Sequence, residues 1–442
     1  MQSMCVIYPT AIYPKAARCA ALALVLIGAC AGCAPDRPAS PDVVLIDLES
    51  ARPDHLSHAG YPRPTAVRLD EFRGRAALFV HARSPSSHSI AASASLLTGL
   101  SPDSLRRAGP GIGVVAGPPT LAEILRERGW HTVGLSHHPG IAAANGFDRG
   151  FDRFEAATGS VEAHPDAAVM VAWLREWLAG EPVAPVFLYL HPMNAGPPYR
   201  VPPDHREVLL GRRPSRRLPY GGERMRAAER SSGAGIAPAH VASLVEQYDT
   251  ALRYTLDRVA DLLNLLAQND RLDAALVVIT ANHGEELFDH RGFGHGRTLH
   301  EEVLRVPLYV KLPGASSAAT LDTPVSTLDV VPTVLDLLGM PAPAGDGRSL
   351  APLLREPPVA PSERDFAHEL GAPGDAGYQR ALLRGRHKLI EVGGGEAAGA
   401  APPVARLYDL VLDPHEENDL AAASPEVVER VRRELDRLLA DR

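Results

Sequence analysis

The segment from Ala275 to Gly314, ALVVITANHGEELFDHRGFGHGRTLHEEVLRVPLYVKLPG, constrains this chain most, because an unbroken apolar run leads straight into a crowd of polar, metal-competent side chains. Ala275 to Ile279 reads as a parallel strand buried on both faces. Asn282, His283, Glu285, Glu286, Asp289, His290, His295 and His300 follow it, where open α/β sheets hold ligands, beyond the carboxyl ends of their strands. Gly284, Gly292, Gly294 and Gly296 allow tight turns and close backbone approach to a ligand. A solvated polar loop is the competing reading, and it would rarely need glycine so often.

A chain of 442 residues accommodates one large α/β domain and a smaller one. The net charge of −8 and pI near 6.1, with no overriding Lys/Arg cluster, exclude a nucleic-acid surface. Cys5, Cys19, Cys30 and Cys33 are the only cysteines, so the chain beyond residue 33 has no disulfide, thiol nucleophile or cysteine-ligated metal.

The amino terminus accounts for those cysteines. Lys15 and Arg18 precede the apolar run Ala20 to Ile27, long enough for the core of an export signal and too short to span a bilayer comfortably. Ile27-Gly28-Ala29-Cys30 resembles a bacterial lipobox, with Cys33 after Ala31-Gly32 as a second candidate for lipidation; a plain cleaved signal is the alternative. APDRPASPD then reads as a proline-rich tether to a folded body.

That body opens with VVLIDLESARPDHL, a buried strand ending in acidic residues. Strand side chains alternate, so Asp47 and Glu49 share one face, where two carboxylates can meet one cation. In ARSPSSHSIAASASLLTGL, a serine-rich start precedes an apolar periodic run. It reads as a loop feeding a helix amino terminus, which favours an anion and an activated oxygen nucleophile, with a simple N-cap serine as the alternative.

VVLIDLESARPDHLSHAGYPRPTAVRLDEF, SIAASASLLTGLSP, FLYLHPMNAGPPY, TANHGEELFDHRGFGHG and LYDLVLDPHEENDL occur in the order found in the sulfatase family, and the chain resembles a member of it over nearly the whole body. The resemblance implies the α/β fold of the alkaline-phosphatase-like superfamily: a central mixed, mostly parallel sheet flanked by helices, with a small carboxyl-terminal α+β subdomain. The expected organisation is a leader over 1–33, a tether over 34–41, a catalytic domain over 42–345, and a subdomain over 346–442 with a short sheet and final helix.

The resemblance also implies one divalent ion, calcium foremost with magnesium, manganese or zinc as alternatives, and a nucleophile that takes up a sulfuryl or phosphoryl group. Glu49 stands at a metal-binding Asp of the family, with Asp47 as an in-register spare. Asn282 and His283 stand at its Asp-His or Asp-Asn pair, so one carboxylate is an amide here. Ser89 stands at the nucleophile, a formylglycine in true sulfatases. The modification motif has Arg four residues on, where this chain has Ser93, which argues against a formylglycine at Ser89. An unmodified serine near a cation remains competent toward a phosphoester. His137 stands at a Lys that contacts nucleophile and substrate, and His191 precedes a segment in which Gly196 replaces a substrate-binding His. His295 stands at a Lys or His that binds the transferring group.

Two functional readings follow. One is a lipid-anchored, exported hydrolase of sulfate, phosphate or phosphonate esters, acting on an anionic small molecule, glycan or lipid. The other is a catalytically impaired relative that serves as a binding or scaffolding lipoprotein. The basic segment from Arg200 to Arg230 reads either as a greeting for an anionic substrate or as a solvated insertion. PEVVERVRRELDRLLA places Val427, Val428, Val431, Leu435, Leu438 and Leu439 at helical spacing, the pattern of a docking amphipathic helix.

Overall fold

The computed structural model describes residues 40–109, 113–114, 117–161, 164–180, 185–212, 238–356, 364–373, 375, 377–393 and 403–440. The leader, the tether up to residue 39, Cys30, Cys33, and Arg213, Arg216 and Arg217 of the basic segment lie outside the described residues.

Fifteen strands are described: β1 (Val43–Leu48), β2 (Ala77–Arg83), β3 (His131–Ser136), β4 (Arg153–Ala156), β5 (Val186–His191), β6 (Leu276–Ala281), β7 (Glu286–Leu287), β8 (Phe293–Gly294), β9 (Arg305–Lys311), β10 (Ala319–Leu321), β11 (Val325–Ser326), β12 (Phe366–Leu370), β13 (Gln379–Arg384), β14 (His387–Val392) and β15 (Val404–Asp409). The central sheet has the order β10-β2-β9-β6-β1-β5-β3-β4, with β11 also beside β2. β1, β3, β4, β5 and β6 are mutually parallel where they pair, and β9 runs against both β6 and β2. The sheet is thus mixed and mostly parallel, as expected.

Every residue of β1, β5 and β6 is buried, which is why these strands are apolar runs rather than alternating patterns. Helices cover the sheet. Helix Leu121–Glu127 is started by a reciprocal capping box between Thr120 and Glu123, and Ala167–Leu178 by the Asp166 carboxylate on the Ala168 amide. The longest, Pro238–Gln268, buries Tyr248, Leu252, Leu256, Val259 and Leu263 along one stripe.

Strands β12 to β15 form a separate antiparallel meander. One face carries helix Pro425–Ala440, whose Val428, Val431 and Leu435 pack on Leu382, Leu389 and Leu407, with Val427, Leu438 and Leu439 at the margin. The other face takes Leu299, Val303 and Leu304 against Leu370, Ala381, Ile390 and Tyr408. Among the described residues no helix is long and apolar enough to cross a membrane.

Candidate active site

The parallel strands end in register, Leu48 beside Ala281 and Ser136 beside His191. Just past those ends come Glu49, His137, His138, Asn282 and His283. Helix Ser89–Thr98 delivers its first residue to the same place. Its N-cap, His88, makes no side-chain cap, so the dipole and first-turn amides are left to favour an anion.

Ser89 is buried, with its Oγ 2.9 Å from Glu49 Oε1, 2.9 Å from His283 Nε2 and 3.4 Å from His295 Nε2. The tautomers of both rings follow from their outer nitrogens. His283 Nδ1 lies 2.7 Å from the Gly284 carbonyl, which can only accept, so the neutral ring carries its proton there and turns a lone pair on Ser89. His295 Nδ1 lies 2.9 Å from Glu285 Oε2 and likewise leaves Nε2 facing inward. One hydroxyl proton therefore faces three acceptors. Ligand atoms of Glu49, His283 and His295 all lie within 4.8 Å of one another. Convergent acceptors that outnumber the available protons are what a divalent cation satisfies, so these residues fit a divalent ion.

The other carboxylate oxygen of Glu49 is already engaged. Asn282 Nδ2 donates to Oε2 at 2.7 Å, while Asn282 Oδ1 accepts from the backbone N–H of His283 at 2.8 Å and of Ser50 at 3.4 Å. Asn282 thus offers Glu49 a donor where a ligand oxygen was expected. His191 lies between Asp47 at the end of β1 and Glu49 just beyond it, Nε2 at 3.0 Å from Glu49 Oε2 and Nδ1 at 3.1 Å from Asp47 Oδ2. Burial alone would lower its pKa, but Asp47 and Glu49 raise it to about 9. The cation these carboxylates share is an imidazolium. Burial pushes the Glu49 carboxyl up, and the His191 imidazolium beside it outweighs this and holds it well below the usual range.

Asp47 stands one step back. Its Oδ2 also accepts from Ser93 Oγ at 2.8 Å and Tyr189 OH at 3.0 Å, and its buried Oδ1 has no hydrogen-bond partner. Ser93, in the place of the family's Arg, is therefore a donor to Asp47. Gly196 is fitted to Glu49, since a Cβ there would come within 2.6 Å of Glu49 Cγ. The close approach at Gly284 is to the protein itself, because a Cβ would meet the Glu302 carbonyl at 2.0 Å; the ligand approach expected from the sequence is not its cause.

Of the two adjacent histidines after β3, His138 belongs to the neighbourhood of Glu49. Its ring stands edge-on to His191 at 6.1 Å, and its pKa falls to about 4 through burial, with Glu49 opposing and His191, His295 and His283 assisting. His138 Nδ1 accepts the Gly140 N–H at 2.9 Å, which leaves the proton of the neutral ring on Nε2. His137 is lowered to about 3 by burial, with His164 and His191 contributing, and its Nδ1 has no partner. No described contact joins His137 to Ser89. Sequence reasoning passed over His138, and it placed Glu285 only in the general crowd of metal-competent side chains. The hairpin β7–β8, which pairs Glu286 with Gly294, brings Glu285 to His295, and its short spacing was the available signal.

The sulfatase family model matches residues 41–340, and the carboxyl-terminal model of N-sulphoglucosamine sulphohydrolase matches 288–441. The chain belongs to the sulfatase family. Arylsulfatase K of Danio rerio is 30% identical over 187 residues, covering 41% of this chain and 34% of that protein; the Homo sapiens protein is 29% identical over 183 residues, covering 38% and 32%. The alignment thus spans about a third of the length of these curated relatives. The phosphonate monoester hydrolase of Agrobacterium radiobacter superposes with a TM-score of 0.73 at 19% identity, covering 91% of this chain and 96% of that one. A structure solved with its substrate D-glucosamine-2-N,6-O-disulfate gives 0.72 at 16% identity, covering 90% and 97%. At these identities the superpositions establish the fold.

Proposed function

We propose that this chain is an exported hydrolase of anionic esters, sulfate, phosphate or phosphonate, with unmodified Ser89 as nucleophile beside a divalent cation. The observation that carries the reading is Ser89 Oγ at a helix amino terminus, facing Glu49, His283 and His295. Ser89 Oγ bonds to sulfur or phosphorus as the bond from that atom to the leaving oxygen breaks. The hydroxyl proton passes to the surrounding acceptors and solvent, and the leaving oxygen takes a proton from water. A water then attacks the same atom, its proton returns to Ser89, and the inorganic oxyanion or phosphonate is released. When bound, the cation supplies charge neutralisation and eases ionisation of the hydroxyl. Asp47 and His191 hold Glu49 in place, and His138, neutral and protonated on Nε2, offers a donor to an oxygen of the transferring group.

Ser89→Ala tests this on p-nitrophenyl sulfate, p-nitrophenyl phosphate and a phosphonate monoester. Turnover of whichever ester is cleaved should fall at least about 10³-fold with the fold intact. Retained turnover sinks the proposal, and a mass shift of the Ser89 peptide to the aldehyde sinks the unmodified nucleophile.

The second reading, a binding lipoprotein without turnover, is favoured by the Asn282 amide on Glu49 and by the missing imidazole at Gly196. It predicts ester binding without cleavage. On either reading residues 1–33 are a leader with Cys30 or Cys33 lipidated, 34–41 a tether to the cell envelope, 42–345 the catalytic-type domain and 346–442 the subdomain.

A further inference from the structure

The residues around Ser89 distinguish among cations. A hard ion such as calcium takes six to eight oxygen ligands, whereas imidazole nitrogens suit zinc and its neighbours in the first transition row. Here the convergent donors are one carboxylate oxygen, Glu49 Oε1, and two imidazole nitrogens, His283 Nε2 and His295 Nε2, with Ser89 Oγ among them. The oxygens that would make the site hard point elsewhere. Asn282 Oδ1 faces backbone amides, Glu49 Oε2 is taken by Asn282 and His191, and Asp47 is held by Ser93, Tyr189 and His191.

Both rings are also braced as metal-binding imidazoles are. His283 is held by the Gly284 carbonyl and His295 by Glu285, whose second oxygen accepts from Tyr199 OH at 2.9 Å. Glu285 is fully buried, so the brace on His295 is built into the fold.

We infer that Glu49, His283 and His295 form a nitrogen-rich site for a zinc-class ion, with Ser89 Oγ as the fourth donor, in place of an oxygen-only calcium site. The inference rests on the proposed function for its cation and sharpens it. His295 becomes a ligand, Glu285 its positioning residue, and the Ser89 proton leaves to solvent as the ion binds.

The test uses the purified full chain stripped with chelator and titrated separately with Zn2+, Co2+, Ca2+ and Mg2+ by calorimetry against a competing chelator. One tight Zn2+ or Co2+ per chain is expected, at least about 100-fold tighter than Ca2+. His295→Gln should weaken Zn2+ by about 100-fold, and Glu285→Gln by about 10-fold, the size of effect that loss of a brace produces. X-ray absorption at the zinc edge of the unsubstituted protein should count two imidazoles, which keeps the test decisive even where a variant fails to fold. Calcium binding as tight as zinc, an oxygen-only zinc shell, or a folded His295→Gln with undiminished zinc affinity would each overturn the inference. Ser89-dependent turnover supported by calcium alone would sink the site and leave the proposed hydrolase standing; zinc bound as expected with turnover indifferent to Ser89→Ala would do the reverse.

Discussion

Replacing Asn282 by Asp converts the donor on Glu49 into a second carboxylate. The oxygen that accepts the backbone amides stays where it is, and the nitrogen 2.7 Å from Glu49 Oε2 becomes an oxygen. Two charges that close repel by about 6 kcal/mol at an effective dielectric of about 20. Holding one proton on the pair costs about 5 kcal/mol at pH 8, at about 1.4 kcal/mol for each unit above an ordinary carboxyl pKa near 4. The smaller cost wins, so the chelator-stripped variant keeps a proton that its unfolded form loses near pH 4. A folded state that binds more protons loses stability as pH rises. The His191 imidazolium, 3.0 Å from the same oxygen, offsets part of this, so Asn282→Asp should lose about 2–4 kcal/mol relative to the native chain between pH 5 and pH 8. Urea unfolding at the two pH values measures it. A divalent ion at about 1,000 times its dissociation constant should return about 4 kcal/mol, because two carboxylates now welcome it. A variant equally stable relative to the native chain at both pH values, and indifferent to divalent ions, would refute the placement of the Asn282 amide on Glu49.

His368 is fully buried and lowered to about 3, by burial first and then by Lys388, so the folded chain resists a proton that the unfolded chain accepts near pH 6.5. Native stability should therefore fall as pH drops from about 6.5 to 3, and His368→Asn should flatten that decline by about 1.4 kcal/mol per unit, read from unfolding curves across the range. Lys388, buried 3.0 Å from both Glu301 and Glu416, shares its one charge between two buried acids; Lys388→Met should cost about 3–5 kcal/mol by thermal or urea unfolding at neutral pH. Metabolic labelling with a fatty acid should be lost in Cys30→Ala or in Cys33→Ala, but not in both; an unsubstituted chain that takes up no label would remove the lipid anchor, and label retained in the double variant would remove both cysteines as its site.

The sequence carried the strands and the polar crowd because strands buried on both faces must be largely apolar, as β1 and β6 are but for Asp47 and Thr280 near their ends. The final helix was readable for a similar reason, its Val428, Val431 and Leu435 falling on one stripe. Alternation along β1 put Asp47 and Glu49 on one face. It carried no sign that His191, at the end of a neighbouring parallel strand, would stand between them, because that depends on sheet order. Which of His137 and His138 would face Glu49 was equally hidden, since the turn after β3 breaks the alternation that would have decided it. The direction of the Asn282 amide is set by the backbone amides of Ser50, in the turn after β1, and of His283, which composition cannot reveal.

The loop that delivers Ser89 is moored to the carboxyl-terminal sheet. The Ser84 carbonyl lies 2.8 Å from His368 Nδ1, the Pro85 carbonyl accepts from the Glu369 amide at 3.0 Å, and Arg83, where that loop leaves β2, is paired with Glu301, which Lys388 also holds. With Ser89 as the proposed nucleophile, the small sheet is a jig for its hydroxyl oxygen. Damage to β12 or β14 should surface as a misaimed serine, slow in turnover yet still able to load metal, and an inactivating lesion mapped to that sheet need not lie near the substrate to act on the chemistry.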